Sequence, residues 1–175
     1  DFNHLMIVCS FKMAMKLVLF MNKNKILNLY KQLAKWPAGQ WGFSKVVGFK
    51  APYFNNINAC ITKLMPNHCE CVIKKGRRDH NHIQTVHAIA VCNGLELAMG
   101  MMAEASIPSH LRWLPKGMNV EYVAKAGSDI RCVAVIDDDA WQVGDVFVDV
   151  TAYDTNDVVV VTGQIKLWVS EKKGQ

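Results

Sequence analysis

Residues 85–105 read TVHAIAVCNGLELAMGMMAEA. Glu96 and Glu104 are the only charged side chains in that stretch, and no proline interrupts it. A helix this apolar nearly all the way round must be covered on most sides. The spacing therefore predicts a helix over Thr85 to Ala105 as the centre of the domain, with the rest of the chain wrapped about it.

The flanking segments supply the wrapping. Before the helix, Ile57 to Leu64 reads as a strand, Pro66-Asn67 as a turn, and His68 to Lys75 as a second strand, together a hairpin. After it come four more strands, at Met118 to Ala126, Ile130 to Ile136, Val146 to Tyr153 and Val158 to Val169. Gly127-Ser128, Asp137 to Asp139 and Asp154 to Asp157 separate them as turns. Two strands, a long buried helix and four strands fit an α+β domain whose mostly antiparallel sheet wraps one helix. Further upstream, Ile26, Leu29, Tyr30 and Leu33 recur at helical spacing, which predicts an extra N-terminal amphipathic helix ending before Pro37. Trp41 to Phe54, rich in aromatics, Gly and Lys, reads as an irregular segment capping something apolar. Lys74 to Arg78 is a basic turn and Asp79 to Gln84 a polar loop.

The chain has 175 residues, 51% apolar and 20% charged. Those values suit one domain with a real core and exclude a disordered tail. A net charge of +5 is mild and points to no nucleic-acid partner. No clean apolar run reaches the roughly 18 residues of a membrane span. Lys12 and Lys16 interrupt the apolar first residues, and Leu17 to Met21 is too short for a signal-peptide core. The chain opens on Asp1, which leaves Met13, Met15 and Met21 as candidate starts. The six cysteines, Cys9, Cys60, Cys69, Cys71, Cys92 and Cys132, form no CxxC pair. They read as free thiols filling apolar space, and point to a reducing, cytoplasmic compartment.

Glu96 stands out chemically. Leu95, Leu97, Met99 and Gly100 surround it in sequence, and an ionised carboxylate in such company is costly. Desolvation there would favour its protonated form, which suits a general base or a nucleophile. His87 lies nine positions earlier. On a helix that is about 900° of rotation and about 13 Å of rise. The two side chains face opposite ways, so a site using both requires two chains.

The run Asn81-His-Ile-Gln-Thr-Val-His87-Ala-Ile-Ala-Val-Cys-Asn-Gly-Leu-Glu96 resembles the signature of hotdog-fold acyl-CoA thioesterases. The nearest type is the phenylacetate-degradation thioesterase branch with its uncharacterised relatives. Ala51-Pro52-Tyr53-Phe54 also looks like the segment those relatives carry before their first strand. The resemblance covers Pro52 to Trp168 and implies a hotdog domain over 41–170, preceded by an extension and helix over 1–40 and followed by a tail at 171–175. It implies a homodimer with sheets paired edge to edge, able to pair further into a homotetramer, and two sites at the interface. Glu96 would activate water or attack the thioester carbonyl. Asn81 from the other chain would position the water or the carbonyl. The backbone N–H of Ala88 would hold the oxyanion, and His87 would brace that loop. The substrate would be an acyl-CoA or acyl-carrier thioester, with coenzyme A as part of the substrate and no separate cofactor.

Two departures bear on this reading. The family's Gly-Gly after the His is Ala88-Ile89 here, which adds bulk where a substrate approaches. Gln84 stands where a Gly is common. A non-catalytic hotdog protein that binds an acyl ligand therefore stays open beside the hydrolase. For substrate contacts, Ile89 and Met99 would meet the acyl chain, and Lys74, Arg77 and Arg78 the phosphates of coenzyme A. Hotdog hydratases carry Asp-x-Asn-Pro-x-His, and here Gln84 replaces the essential His, so hydration is not expected. His80, His82 and His87 match no metal spacing, and no metal site is expected. No nucleotide-binding fingerprint or GxSxG elbow occurs.

Overall fold

The computed structural model describes residues 24–172. The N-terminal extension expected before residue 24, with Cys9 and the candidate starts, lies outside the described residues, as do 173–175 of the tail. The first helix, α1 (Asn24–Leu33), turns Leu29 and Tyr30 into the core. Its predicted apolar face is the one buried. The Tyr30 hydroxyl donates to the Thr62 carbonyl at 2.7 Å, and its ring meets Phe43 edge-on at 5.1 Å.

The segment expected to be irregular is instead helical. Gly39–Lys50 forms α2, and a 3₁₀ turn follows over Pro52–Asn56. No side chain caps the start of α2, where Ala38 has φ +59°. Gly39, Gly42 and Gly48 weaken its helix propensity. Packing of Phe43 and Val46 overrides that weakness. A Cβ on Gly48 would collide with the Asn55 side chain, whose Nδ2 donates to the Gly48 carbonyl at 2.8 Å.

Six strands follow: β1 (Ala59–Met65), β2 (His68–Ile73), β3 (Leu111–Tyr122), β4 (Ile130–Val135), β5 (Gly144–Tyr153) and β6 (Val159–Glu171). They form one antiparallel sheet in the order β1-β2-β4-β5-β6-β3. Two differences from expectation concern β3. It begins at Leu111 rather than Met118 and ends at Tyr122 rather than Ala126. Pro115 conceals its first half. That proline is tolerated because β3 is an edge strand, with a bulge between Pro115 and Gly117.

The central helix α3 (Ala88–Ser106) lies across this sheet, chiefly on β2 and β4. It starts three residues later than expected. The Val86 N–H donates to the Ala126 carbonyl, and Thr85 O accepts from Asn81 N–H, so both residues are held outside the helix. Leu95, Ala98, Met99 and Met102 are fully buried against Cys71, Ile73, Ile130 and Cys132. Gly94 marks the closest approach. A Cβ on it would stand 2.6 Å from Ile73 Cδ1 and 2.8 Å from Cys132 Sγ. By length and composition α3 is apolar enough to cross a membrane, yet here its apolar side chains are the core of the fold. The described cysteines are free thiols, with Cys71 and Cys132 register partners across β2 and β4. A sheet curled around one long helix is the hotdog arrangement.

Candidate functional site

The loop between β2 and α3 is built on Asn81. Its Oδ1 accepts from the N–H groups of Ile83 (3.1 Å) and Thr85 (3.2 Å). Its Nδ2 donates to Thr85 Oγ1 at 2.9 Å, and its carbonyl accepts from Gln84 N–H at 3.0 Å. Asparagine forms such local bonds readily, which makes the loop tight. Gln84 closes it at φ +59°, the left-handed region that a glycine occupies without penalty. The Asn81 amide is thus engaged within its own loop, with one Nδ2 hydrogen left over.

His87 is the N-cap of α3. Its Nδ1 accepts from Ile89 N–H at 3.1 Å, which puts the ring proton of the neutral imidazole on Nε2. The Ala88 N–H donates to no acceptor among the described residues. It points out of the positive end of the helix dipole, where an anion is stabilised. Ile89 is exposed beside it.

Glu96 is half-buried, and it is not enclosed by its sequence neighbours. Leu95, Leu97 and Met99 turn into the core, while Glu96 lies on the face that the sheet leaves uncovered. Ile89, Asn93, Gly100 and Glu104 share that stripe. Along it, Asn93 Oδ1 receives the Tyr53 hydroxyl at 3.4 Å, and Glu104 Oε1 receives Trp113 Nε1 at 2.9 Å. On the β3 side, Cys92 Sγ and the Tyr122 hydroxyl lie 3.2 Å apart. Glu96, between them, hydrogen-bonds and ion-pairs with none of the described residues. A half-buried carboxylate with no partner among the described residues, between the Tyr53–Asn93 and Trp113–Glu104 contacts, is available to a ligand.

The three residues singled out from the sequence fall into two groups. Asn81 and His87 sit together at the N-terminal end of α3. Glu96 lies about 13 Å further along the axis. One chain does not bring them into contact.

The substrate contacts also divide. Met99 is fully buried in the core, which leaves it no surface for a ligand in this chain. Lys74, Arg77 and Arg78 instead line a cavity of about 690 Å³ between α2, the Pro52–Asn56 turn and β1. Leu97 closes it from the side of α3. Lys74 is already paired to Asp129 Oδ2 at 2.7 Å, and Lys75 N–H donates to Asp129 Oδ1 at 2.9 Å. The Lys74 hydrogen bond and the Lys75 N–H hold the Asp129 carboxyl below its usual range. The basic turn is thereby pinned to the loop between β3 and β4. Among the described residues, no three His, Cys, Asp or Glu groups are placed to hold a metal.

The sequence reading missed Asp79. It is the one buried charged residue among those described, 3% exposed, and it lines the same cavity. The available signal was a lone acid closing the basic run Lys74 to Arg78.

The family model described as a domain of unknown function (DUF4442) matches residues 39–169. No curated protein matches. Among solved structures, a crystal structure described only as a genomics target is 42% identical, with a TM-score of 0.76, over 86% of this chain and 99% of that one. A protein of unknown function from Pseudomonas aeruginosa, described as a probable thioesterase, is 19% identical with a TM-score of 0.65, over 71% of this chain and 91% of its own. A thioesterase family protein from Silicibacter pomeroyi is 18% identical with a TM-score of 0.63, over 73% and 96%. The last two share the hotdog fold with this chain.

Proposed function

The chain belongs to the family described as a domain of unknown function (DUF4442), and on that footing we propose that it hydrolyses acyl thioesters at a site shared by two copies. The observation that carries this reading is Glu96, an unpartnered carboxylate on the one uncovered stripe of the hotdog helix. The unengaged Ala88 N–H at the start of the same helix supports it.

In the reaction, water adds to the thioester carbonyl while Glu96 takes its proton. The negative charge that develops on the carbonyl oxygen is held by the Ala88 N–H and the helix dipole. Collapse of the tetrahedral intermediate breaks the C–S bond, and the thiolate leaves with a proton. The products are the carboxylic acid and the free thiol. Direct attack by Glu96 gives an anhydride that water then opens to the same products. Asn81 of the partner subunit positions the water or the carbonyl, and His87 fixes the helix start. This chemistry calls for no cofactor beyond the coenzyme A or acyl carrier of the substrate.

Two copies are needed because one chain separates Glu96 from Asn81 and His87. The long edge strand β3, with Leu114 and Tyr122 exposed, supports pairing of sheets edge to edge. Back-to-back pairing of such dimers would give a tetramer. The free thiols favour a reducing, cytoplasmic setting.

A non-catalytic acyl-ligand binder is favoured by one feature, the exposed Ile89 side chain beside the oxyanion N–H. Incubation with acyl-CoAs from acetyl to palmitoyl and with phenylacetyl-CoA, following free coenzyme A by chromatography, separates the two. Turnover supports the hydrolase. Ligand-induced thermal shifts without turnover support the binder.

A further inference from the structure

The cavity under the Lys74 to Asp79 loop has a chemistry that thioester hydrolysis does not use. Asp79 is buried, with Oδ1 accepting from Asn58 N–H at 3.3 Å. Its Oδ2 accepts from no group among the described residues, and it stands 3.4 Å from where a Cβ on Gly76 would be. No fully buried side-chain oxygen among the described residues lacks a partner, so Oδ2 keeps an accessible surface and is open to a donor entering the cavity that Asp79 lines. Arg77 and Arg78 at the rim pair with no acid among the described residues, and Lys45 adds a third cation. Trp41, Phe54 and Leu97 supply apolar wall.

We propose that this cavity binds an anionic amphiphile bearing a hydroxyl, with the anion on Arg77 and Arg78, the hydroxyl on Asp79 Oδ2 and the chain along Trp41, Phe54 and Leu97. The cationic rim draws an anion and opposes an ammonium, so the donor that Asp79 meets is a neutral hydroxyl. Consecutive Cα atoms are about 3.8 Å apart. Arg78 and Asp79 are neighbours and line the same cavity, so one ligand that carries both an anion and a hydroxyl can reach both. A cavity of about 690 Å³ is in the range that small-molecule ligands fill.

Isothermal titration of the full chain with decanoate and with each enantiomer of 3-hydroxydecanoate tests this without any thioester. One hydroxy enantiomer is expected to bind about tenfold or more tightly than decanoate, as a hydrogen bond to a charged group allows. Asp79→Asn keeps the oxygen that Asn58 N–H needs, and turns an amide donor toward the cavity. It should cut the preference for the hydroxyl, since a bond to a charged oxygen becomes one to a neutral amide, and leave decanoate binding in place. Arg77→Glu with Arg78→Glu, both at exposed positions, should weaken both ligands about tenfold or more. Equal affinities for decanoate and both hydroxy acids, or no binding of any, overturns the proposal. So does a hydroxyl preference that is undiminished in Asp79→Asn. Should that variant fail to fold, the wild-type comparison and the arginine reversals decide alone.

Discussion

The backbone N–H of His87 donates to the carbonyl oxygen of Asp79 at 2.7 Å. That bond joins the cap of the central helix to the loop that borders the cavity. On one side of it lies the helix N-terminus, with its unengaged Ala88 N–H. On the other lies the buried Asp79 carboxylate. The same short loop therefore places two groups suited to ligands, one an N–H donor and one an oxygen acceptor.

Gly94 is where the helix rests on the sheet. A Cβ at 2.6 Å from Ile73 Cδ1 and 2.8 Å from Cys132 Sγ forces side chains to shift in a packed core. Gly94→Ala is expected to lose about 1–3 kcal/mol, read from urea unfolding. A loss below about 0.5 kcal/mol would mean that Ile73 and Cys132 give way freely.

Gln84 carries a backbone conformation that suits glycine. It is exposed, so removing its side chain forfeits no packing. A side chain in the left-handed region costs on the order of 1 kcal/mol, against a smaller gain from stiffening the unfolded chain. Gln84→Gly should raise stability by about 0.5–1 kcal/mol, measured by the shift in urea midpoint at constant slope. A loss of stability would show that the Gln84 side chain holds the loop.

Asp129 gives the fold an acid limb. Its carboxyl is held low by the Lys74 hydrogen bond and the Lys75 N–H. The folded chain keeps it ionised to lower pH than the unfolded chain does. Its contribution is full above the ordinary aspartate value, about 3.9, and is lost as pH falls through the depressed folded value. Wild type should exceed Asp129→Asn in stability at pH 7, and the gap should narrow as pH falls below about 3.9, by unfolding at each pH. A difference that does not vary with pH would place the role of Asp129 elsewhere.

Thiol reactivity maps the core. Burial pushes the Cys69 thiol well up, and the hydrogen bond with Cys71, with burial, does the same to Cys132. In the native protein, brief alkylation followed by peptide mass spectrometry should label Cys60, which is partly exposed at the cavity, and spare Cys69, Cys71 and Cys132. Labelling of Cys71 and Cys132 at the rate of Cys60 would contradict the packing of β2 and β4 under α3.

The sequence disclosed the features with strong periodicity. The hairpin alternates and the central helix is a continuous apolar run, so both were legible with their order. The α2 helix was hidden because its glycines argue against a helix that only packing of Phe43 and Val46 sustains. The first half of β3 was hidden because an edge strand needs neither apolar alternation nor freedom from proline. At the site, residue types were legible and directions were not. Glu96 read as enclosed because Ile89 and Gly100 share its stripe and make the helix look apolar all round. Asp79 read as loop, since a lone acid after the basic run Lys74 to Arg78 does not by itself reveal that it turns inward.

Glu96→Gln decides most directly whether the open stripe of α3 is a reaction centre. The amide keeps the shape of the carboxylate and cannot take a proton from water. With the acyl-CoA that wild type turns over best, release of free coenzyme A should fall by about a hundredfold or more, at an unchanged melting temperature. Release at the wild-type rate by a folded Glu96→Gln protein would remove Glu96 from the chemistry, and the hydrolase reading built on it would fail.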